Sequence, residues 1–500
     1  MTDAQLILVA GALILAGLGA SLAADRLKVP GLVLFLGLGM AIGSDGAGWI
    51  EFNDYELART LGIIGLSVIL FEGGLSASWS EIRPVLPSAL SLALVGTLIT
   101  AAIAGLAATW LFDLTLLEGM LLGSIVSATD GAAIFSLLRG SRLKRRVTRT
   151  LEAEAGFNDP VAVLLVVGLI DWIELPSYGF EDMVLGLGAE LFLGAIVGLA
   201  VGWVAIQGLR RIRLRTESAY VIGTLAVAAI AYGAASTVHG SGFLAVYLAG
   251  LSLGSAAIPA QRAVTVFHQG MASLAQVAMF LVLGLLVFPG ELAGVALEGT
   301  VLALILVLVA RPVATLVATS VSSYDMRERT VLAWAGLRGA VPVVLATFPV
   351  IAGVNRSVEF FNIVFFAVLL STLAQGASFE ALARRLGMLV HERAPAQPSS
   401  RRRAGSIAQI SVMRPWSPDD GDPGFPNQVG QIGVVEQLAT RIDRPGALVA
   451  LEDGRYAISG KTVAIGSASA LQRVARSQLL TSTSRQDRAW WREVIGALAR

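Results

Sequence analysis

The chain has 500 residues, of which 55% are hydrophobic and 15% charged, and its mean hydropathy is +0.72. Soluble proteins carry about 25% charged residues, so this composition predicts a membrane protein with a smaller soluble part. The net charge of +1 and the absence of cysteine exclude a strong nucleic-acid footprint, disulfides and thiolate sites. His239, His268 and His391 are far apart in sequence, which disfavours a zinc site, and we expect neither an enzyme nor an organic cofactor.

Apolar stretches recur along the first 385 residues. A helix that spans a bilayer needs about 20 mostly apolar residues. Thirteen candidate spans are predicted, at residues 4–24, 30–46, 57–75, 86–111, 116–138, 152–171, 182–206, 217–237, 242–257, 268–289, 297–320, 329–351 and 358–381.

Basic residues fall mainly in the loops that follow odd-numbered spans, such as Arg139–Arg149 and Arg210–Arg215. Loops after even-numbered spans carry carboxylates instead, with Arg59 and Arg356 as the exceptions. Because positively charged loops remain in the cytoplasm, we expect the N-terminus outside and the C-terminus in the cytoplasm. The sequence thus predicts a multi-pass protein of the cell (inner) membrane.

The odd number of spans gives the chain an internal symmetry. Spans one to six begin outside and spans eight to thirteen begin inside, so the sequence predicts two inverted six-helix repeats joined by span seven. Spans five and twelve then correspond, and both contain a helix-breaking segment, Ser127–Gly131 and Gly336–Pro342. Paired interrupted helices at mid-membrane are typical of a transport site, although glycines also serve helix packing in membranes.

Several charged residues lie deep inside the predicted spans. They are Asp130, Glu154, Asp159, Arg311 and Arg338. Counted from the nearest cytoplasmic arginine at about 1.5 Å per residue, Asp130, Asp159 and Arg338 lie roughly 14–15 Å deep, near the middle of a ~30 Å core. Charges at this depth mark either ion pathways or buried structural pairs.

The balance of these charges leaves one carboxylate in excess. An isolated buried charge is strongly penalised, so the excess carboxylate must take up a proton or a cation. Glu154 and Asp159 project about 140° apart on a helix, so only one of them can face a given cavity well. We expect Glu154 to pair with Arg338, which leaves Asp159 as the exchangeable group. Asp130 is either a structural cap of the interrupted helix or a direct ion contact.

At this point the motifs resemble those of a known family. Glu154–Pro160 resembles the Asn-Asp motif of NhaP-type (NHE-like) monovalent cation:proton antiporters. Further matching segments follow in the expected order: Phe71–Gly74, Thr129–Asp130, Gly240–Phe243, Arg311–Pro312 and Gly336–Pro342. Through Thr129–Gly140 and His268–Pro289 the chain is most similar to the CvrA-like potassium/proton antiporter branch.

The resemblance implies an NhaA-like antiporter fold, a homodimer, and exchange of K⁺ or Na⁺ for H⁺ by alternating access, serving ion and pH homeostasis. Because one carboxylate is uncompensated and position 158 is a neutral Asn, we expect this exchange to be electroneutral. The implied ion and proton site comprises Asp159, Asn158, Thr129 and Asp130, with Asp159 and Thr129 as ligands of the monovalent cation. The implied structural pair joins Glu154 and Arg338, with Arg311 and Glu72 as supporting residues. Ala155 stands where sodium-selective relatives often have serine, which favours potassium.

The C-terminal part has a different composition. We expect a transmembrane exchanger domain over 1–388, a flexible linker rich in Pro, Ser and Gly over 389–430, and a small cytoplasmic regulatory domain over 431–500. A hairpin is predicted at Asp453-Gly454, and helices over 468–480 and 486–499 make the tail an α/β domain. Its partner is expected to be a small regulatory ligand.

The predicted fold class is therefore an all-α polytopic membrane protein with a small α/β tail. Its expected partners are monovalent cations, protons and the lipid bilayer. A cation channel is one alternative, but inverted repeats fit a continuous pore poorly. An intramembrane aspartyl protease using Asp130 and Asp159 is another, and it is disfavoured because nearby arginines keep both carboxylates ionised.

Overall fold

The computed structural model describes residues 3–27, 30–129, 141–212, 216–391, 447–450, 456–459 and 463–466. The chain divides into two compact units, residues 1–393 and 394–500, and each is described by itself.

The described part of the first unit is almost entirely helical. Its first half contains α1 (Asp3–Leu27), α2 (Gly31–Ile42), α3 (Tyr55–Ser76), α4 (Trp79–Ile82), α5 (Leu86–Ser91), α6 (Thr97–Leu111), α7 (Leu116–Ile125), α8 (Arg145–Glu174) and α9 (Phe180–Arg211). Its second half contains α10 (Glu217–Thr237), α11 (Gly242–Gly254), α12 (Gln261–Leu285), α13 (Pro289–Leu292), α14 (Ala296–Ile305), α15 (Arg311–Ala318), α16 (Met326–Trp334), α17 (Ala340–Leu345), α18 (Thr347–Ala352) and α19 (Ser357–Arg385).

Within the described residues, eight helical segments are long and apolar enough to cross a membrane. They are 55–76, 86–111, 145–174, 180–211, 217–237, 261–285, 289–318 and 357–385. Shorter apolar helices occupy the other predicted span positions, at 11–24, 31–42, 116–125, 242–254 and 340–352. The chain is thus a helical multi-pass membrane protein.

Helices α7 and α16 both end where the sequence predicts an interruption. Helix α7 ends at Ile125, and residues 126–129 leave the helical path. Helix α16 ends at Trp334, residues 335–339 are irregular, and α17 begins at Ala340. Pro342 lies near the start of α17, where its missing N–H costs no helical hydrogen bond.

Two long helices share a different irregularity. A π-helical turn, Leu92–Gly96, joins α5 to α6, and a second one, Leu306–Ala310, joins α14 to α15. Such widened turns are rare and often occur at functional sites. The second turn makes Arg311 the first residue of α15, directly before Pro312.

The first unit also contains a two-stranded ribbon. Strand β1 (Ser141–Leu143) pairs antiparallel with β2 (Leu389–His391), and Leu143 is paired with Leu389. The first three residues of the expected linker, 389–391, are paired with β1. Residues 392–430 lie outside the described part of the chain.

In the second unit, the described residues form a three-stranded antiparallel sheet of β3 (Ala447–Ala450), β4 (Tyr456–Ser459) and β5 (Val463–Gly466). Strands β3 and β4 flank the predicted turn at Asp453-Gly454, which itself lies outside the described residues. The helices predicted at 468–480 and 486–499 lie outside them as well.

Candidate ion-binding site

Helix α8 (Arg145–Glu174) places the central polar side chains of the membrane unit. In its most apolar 18-residue stretch, 83% of the residues are buried, against 11% for α9. Glu154, Asn158 and Asp159 all lie in this buried helix. Pro160 follows at once, and because it has no N–H, the carbonyl of Gly156 lacks its helical hydrogen bond. The site is therefore built on one continuous helix in which a single carbonyl lacks its helical hydrogen bond.

Asn158 connects α8 to the first interruption. Its Nδ2 donates to Thr129 Oγ1 at 2.6 Å, and Thr129 N donates to Asn158 Oδ1 at 3.3 Å. Both residues are buried. Because both ends of the amide bind Thr129, Asn158 holds the end of the interrupted helix beside the turn that carries Asp159.

Glu154 forms a buried ion pair, but not with the expected arginine. Its Oε1 accepts a hydrogen bond from Nη2 of Arg311, and both side chains are at most 2% exposed. The predicted Glu154–Arg338 pair is thus wrong. The physical reason lies at Gly336, where a Cβ would collide with the Arg311 side chain. The bare backbone at Gly336 gives the Arg311 guanidinium a path to Glu154.

Arg338 instead binds the backbone of the opposite interruption. Its Nη1 donates to the carbonyl of Ser127 at 2.5 Å and to that of Ala128 at 2.9 Å. Carbonyls just past a helix C-terminus have no helical partner and carry partial negative charge, so they attract a guanidinium. Arg338 therefore joins the two interrupted segments across the middle of the membrane unit.

The second interruption is held from α19. Thr372 Oγ1 donates to the carbonyl of Arg338 at 2.6 Å, and Gln375 Nε2 donates to the carbonyl of Trp334 at 3.0 Å. These bonds satisfy backbone acceptors that the broken helix leaves open. The crossing of the two interruptions is thus fixed by α8 on one side and by α19 on the other.

Asp159 faces a cavity of about 210 Å³. The cavity is lined by residues of α3, α8, α12 and α17, namely Leu66, Ile69, Glu72, Asp159, Gln269, Ala272, Ser273, Gln276, Met279, Phe280, Ala340 and Val341. Asp159 is 6% exposed, so its carboxylate lies at the buried limit of this space. Asp159 and Glu72 both line this cavity, whereas Glu154 does not.

The exposure of the cavity wall changes steadily along α12. Gln269 and Ser273 are exposed, Gln276 is half-buried, and Met279 and Phe280 are buried. The cavity therefore opens toward the N-terminal end of α12 and closes at Phe280. On α3 the same trend runs from the half-buried Glu72 to the buried Leu66. The lining is thus more exposed at the end marked by Gln269 and Glu72 than at the end marked by Phe280 and Leu66.

Sequence reasoning missed Gln269, Ser273 and Gln276. Their spacing of i, i+4 and i+7 places them on one helix face, and that pattern in an otherwise apolar span was available as a signal. The structure also gives Glu72 a location, at the more exposed part of the cavity, where its Oε1 accepts a hydrogen bond from Ser76 at 2.6 Å.

Asp130 lies outside the described residues. Among the described residues, no group of three or more His, Cys, Asp or Glu could hold a metal ion.

The chain is similar to known proteins in its family match, in its sequence and in its structure. Residues 11–385 match the family described as sodium/hydrogen exchanger, transmembrane. The K(+)/H(+) antiporter NhaP2 of Shewanella baltica is 41% identical over 363 residues, which cover 72% of this chain and 63% of the relative. The K(+)/H(+) antiporter NhaP of Alkalimonas amylolytica is 38% identical over 387 residues, which cover 77% and 67%. The structure of the sodium proton antiporter MjNhaP1 from Methanocaldococcus jannaschii at pH 8 matches with a TM-score of 0.66 at 25% identity, over 76% of this chain and 99% of that chain.

The chain spans about 63% of the length of the first of these curated relatives. The family match covers the membrane unit up to Arg385 and includes every described site residue named above. The sequence motifs, the helical membrane unit and this match agree, and the chain belongs to the sodium/hydrogen exchanger family of transmembrane proteins.

Proposed function

We propose that this protein is a secondary antiporter that exchanges one proton for one monovalent cation at Asp159. The observation that carries the proposal is the position of Asp159, a buried carboxylate that lines a cavity with one more exposed end. A carboxylate in this position loses much of its hydration, so its negative charge is stabilised by either a proton or a cation. Competition between the two for one group couples their movements.

The neighbouring charges support this assignment because they are already engaged. Glu154 is neutralised by Arg311, and Arg338 binds the carbonyls of Ser127 and Ala128. These groups hold the scaffold and keep their charges throughout the cycle. We propose Asp159, which lines the cavity, as the carboxylate that exchanges its ion, and we propose that the exchange is electroneutral.

The proposed cation ligands are Asp159 and oxygens at Thr129, with Asn158 positioning Thr129 through its two hydrogen bonds. Potassium is the preferred cation in this proposal. Ala155 offers no hydroxyl ligand, and both curated relatives cited above are named K(+)/H(+) antiporters. Asp130 is proposed as a further residue that contacts the ion.

The described conformation is proposed to face the cytoplasm. The cavity opens beside Gln269, near the N-terminal end of α12, where Arg262 marks a cytoplasmic loop by the distribution of basic residues. At the other end, Gly62 of α3 packs closely on Val344, and Arg59 lies over the Phe348 ring at 5.9 Å. Alternating access would open this outer contact and close the inner one.

Thirteen crossings in two inverted repeats form the proposed architecture, with the N-terminus outside and the C-terminus in the cytoplasm of the cell membrane. The paired irregularities support it. The interruptions fall in spans five and twelve, and the π-helical turns fall in spans four and eleven. Each pair occupies equivalent positions in the two halves.

A homodimer and a regulatory C-terminal domain over 431–500 with a small ligand complete the proposal, and the physiological role is ion and pH homeostasis. Family membership does not favour the channel or the protease. A channel or a protease would also leave unexplained the buried ion pair of Glu154 and Arg311 beside Asp159 on α8.

The test is exchange in proteoliposomes that carry a pH-sensitive dye. A proton gradient is set up, and K⁺, Rb⁺, Na⁺ or Li⁺ is added outside. We expect rapid proton movement with K⁺ and Rb⁺, weaker movement with Na⁺ and Li⁺, and none with choline. Proton movement that is independent of the cation, or cation flux without proton movement, would exclude an antiporter.

A further inference from the structure

The ribbon of β1 and β2 lies at the end of two helices that hold the ion site. Helix α8 starts at Arg145, directly after β1, and carries Asn158 thirteen residues later. Helix α19 ends at Arg385, shortly before β2, and carries Thr372 thirteen residues earlier. At about 1.5 Å per residue, each of these helical segments is roughly 20 Å long.

The two helices are connected at both ends of these segments. At the site end, Asn158 binds Thr129 in the first interruption, Thr372 binds the backbone of Arg338 in the second, and Arg338 joins the two. At the other end, β1 pairs with β2, and Lys144 N donates to the carbonyl of Met388 at 3.0 Å. The polypeptide thus forms a closed frame around the site.

The chain after α19 is shaped to make this second connection. Gly387 has φ of +67°, Met388 N donates to the carbonyl of Ala383 at 2.9 Å, and Gly387 N donates to that of Arg384 at 3.1 Å. This is the Schellman pattern of hydrogen bonds, which ends a helix on a left-handed residue. It turns the chain so that Met388 is buried and β2 meets β1.

Resting on the proposed function, we propose that β2 is a positioning element of the ion site. It holds α8 and α19 at a fixed separation, so the two interruptions keep the mutual geometry that Thr129 and Asp159 need for cation binding. The strand follows the last membrane helix and lies beyond the residues that match the family, which end at 385. Residues 387–391 therefore belong to the transport machinery rather than to the linker.

The alternation of hydrogen bonds in an antiparallel strand pair identifies the position where a proline would remove a hydrogen bond of the ribbon. Because Lys144 and Met388 form a hydrogen-bonded pair, so do Arg142 and Val390, two residues along each strand, and Leu143 and Leu389 form a non-hydrogen-bonded pair. Val390→Pro removes a ribbon donor without touching either helix. Cysteines at 143 and 389 would stand about 4.5 Å apart at Cα, within the range a disulfide accepts. The chain has no native cysteine to interfere.

The experiment measures K⁺/H⁺ exchange by full-length variants in proteoliposomes, with apparent KM for K⁺ and maximal rate determined separately. For Val390→Pro we expect KM to rise about tenfold, as for other residues that orient a ligand from behind, while the maximal rate changes much less. In Val390→Pro combined with Leu143→Cys and Leu389→Cys, oxidation should restore the wild-type KM and reduction should abolish the rescue in the same vesicles. Val390→Pro with Leu389→Cys alone is the matched control and should show no rescue.

A second pair of variants keeps the test decisive if the proline variant does not fold. A Cβ at Gly387 meets nothing within 4 Å, so substitutions there act only through the left-handed backbone. Asn tolerates that conformation and Val does not. We expect Gly387→Val to raise KM and Gly387→Asn to retain the wild-type value.

A folded Val390→Pro or Gly387→Val protein with wild-type KM would overturn the proposal, as would a disulfide that forms without restoring KM. Wild-type exchange in the same vesicles tests the proposed function separately. If the wild type exchanges K⁺ for H⁺ and the ribbon variants match it, only the role of β2 is lost.

Discussion

Two carboxylates on different faces of α8 have different surroundings. Glu154 and Asp159 are five residues apart on this helix and are both buried. One face places Glu154 against Arg311, where its charge has a permanent partner. The other face places Asp159 at a cavity that is lined by α3, α12 and α17 as well. In the proposed function, what separates the two carboxylates is therefore their surroundings rather than their burial.

The sharpest test of this contrast neutralises each of the two carboxylates in turn, in a matched pair of variants. Asp159→Asn should abolish cation/proton exchange because it removes the carboxylate that binds both ions, while melting in detergent stays near the wild type. Glu154→Gln should lower the melting temperature because it leaves Arg311 buried without its counter-charge. Substantial exchange by Asp159→Asn, measured as dye response in proteoliposomes, would contradict the assignment.

The ion pair on the structural face can be broken from its other side. Removing one partner of a buried pair costs about 3–5 kcal/mol, so Arg311→Ala should strongly reduce thermal stability. Replacing both residues, as in Glu154→Gln with Arg311→Met, should destabilise less than either single change because no buried charge remains. Melting curves in detergent measure all three. A wild-type melting temperature for Arg311→Ala would mean that Glu154 has another partner.

Arg338 provides a graded comparison, because it binds carbonyls instead of a carboxylate. Arg338→Ala leaves the Ser127 and Ala128 carbonyls without this donor, at about 1–3 kcal/mol for an unsatisfied buried group. We therefore expect a smaller loss of stability than for Arg311→Ala. If the Arg338→Ala protein melts like the wild type while exchange vanishes, Arg338 acts in transport rather than in structure.

The boundary of the functional unit can be sharpened by truncation. A chain that ends after Arg393 keeps α8, the cavity and the ribbon, so we expect it to retain exchange. Its dependence on pH or on a cytoplasmic ligand should change because residues 394–500 are gone. Transport assays over a range of pH compare the two chains. A folded but inactive truncated protein would place part of the transport machinery in the C-terminal unit.

The smallest expected effect is electrical. If only the carboxylate on the cavity face exchanges ions, one proton replaces one monovalent cation and the moving charge is the same in both directions. A net charge would couple to the membrane potential by about 2.3 kcal/mol per 100 mV; here we expect no turnover-dependent current on solid-supported membranes. A sustained current would indicate a second titrating carboxylate, and Glu72→Gln and Asp130→Asn identify which one.

Much of this arrangement followed from the residues themselves. The spacing of apolar runs, the side preference of arginines and the depth of Asp159 below Arg149 depend only on helix geometry and on the cost of burying charge. The helix-breaking segments near Ser127 and Gly336 were likewise visible, because glycine and proline limit helices locally. Each of these properties is set by neighbours within one or two helical turns.

Only the tertiary structure decided which groups meet. Whether Glu154 binds Arg311 or Arg338 depends on the space beside Gly336, which belongs to a different helix. The cavity that Asp159 lines and Glu154 does not is formed by α3, α12 and α17 together with α8. The pairing of β2 with β1 joins segments almost 250 residues apart. Charge and periodicity determined where polar groups lie along each helix, whereas packing between helices determined their partners, because the nearest opposite charge in space is chosen by helix contacts that no local pattern encodes.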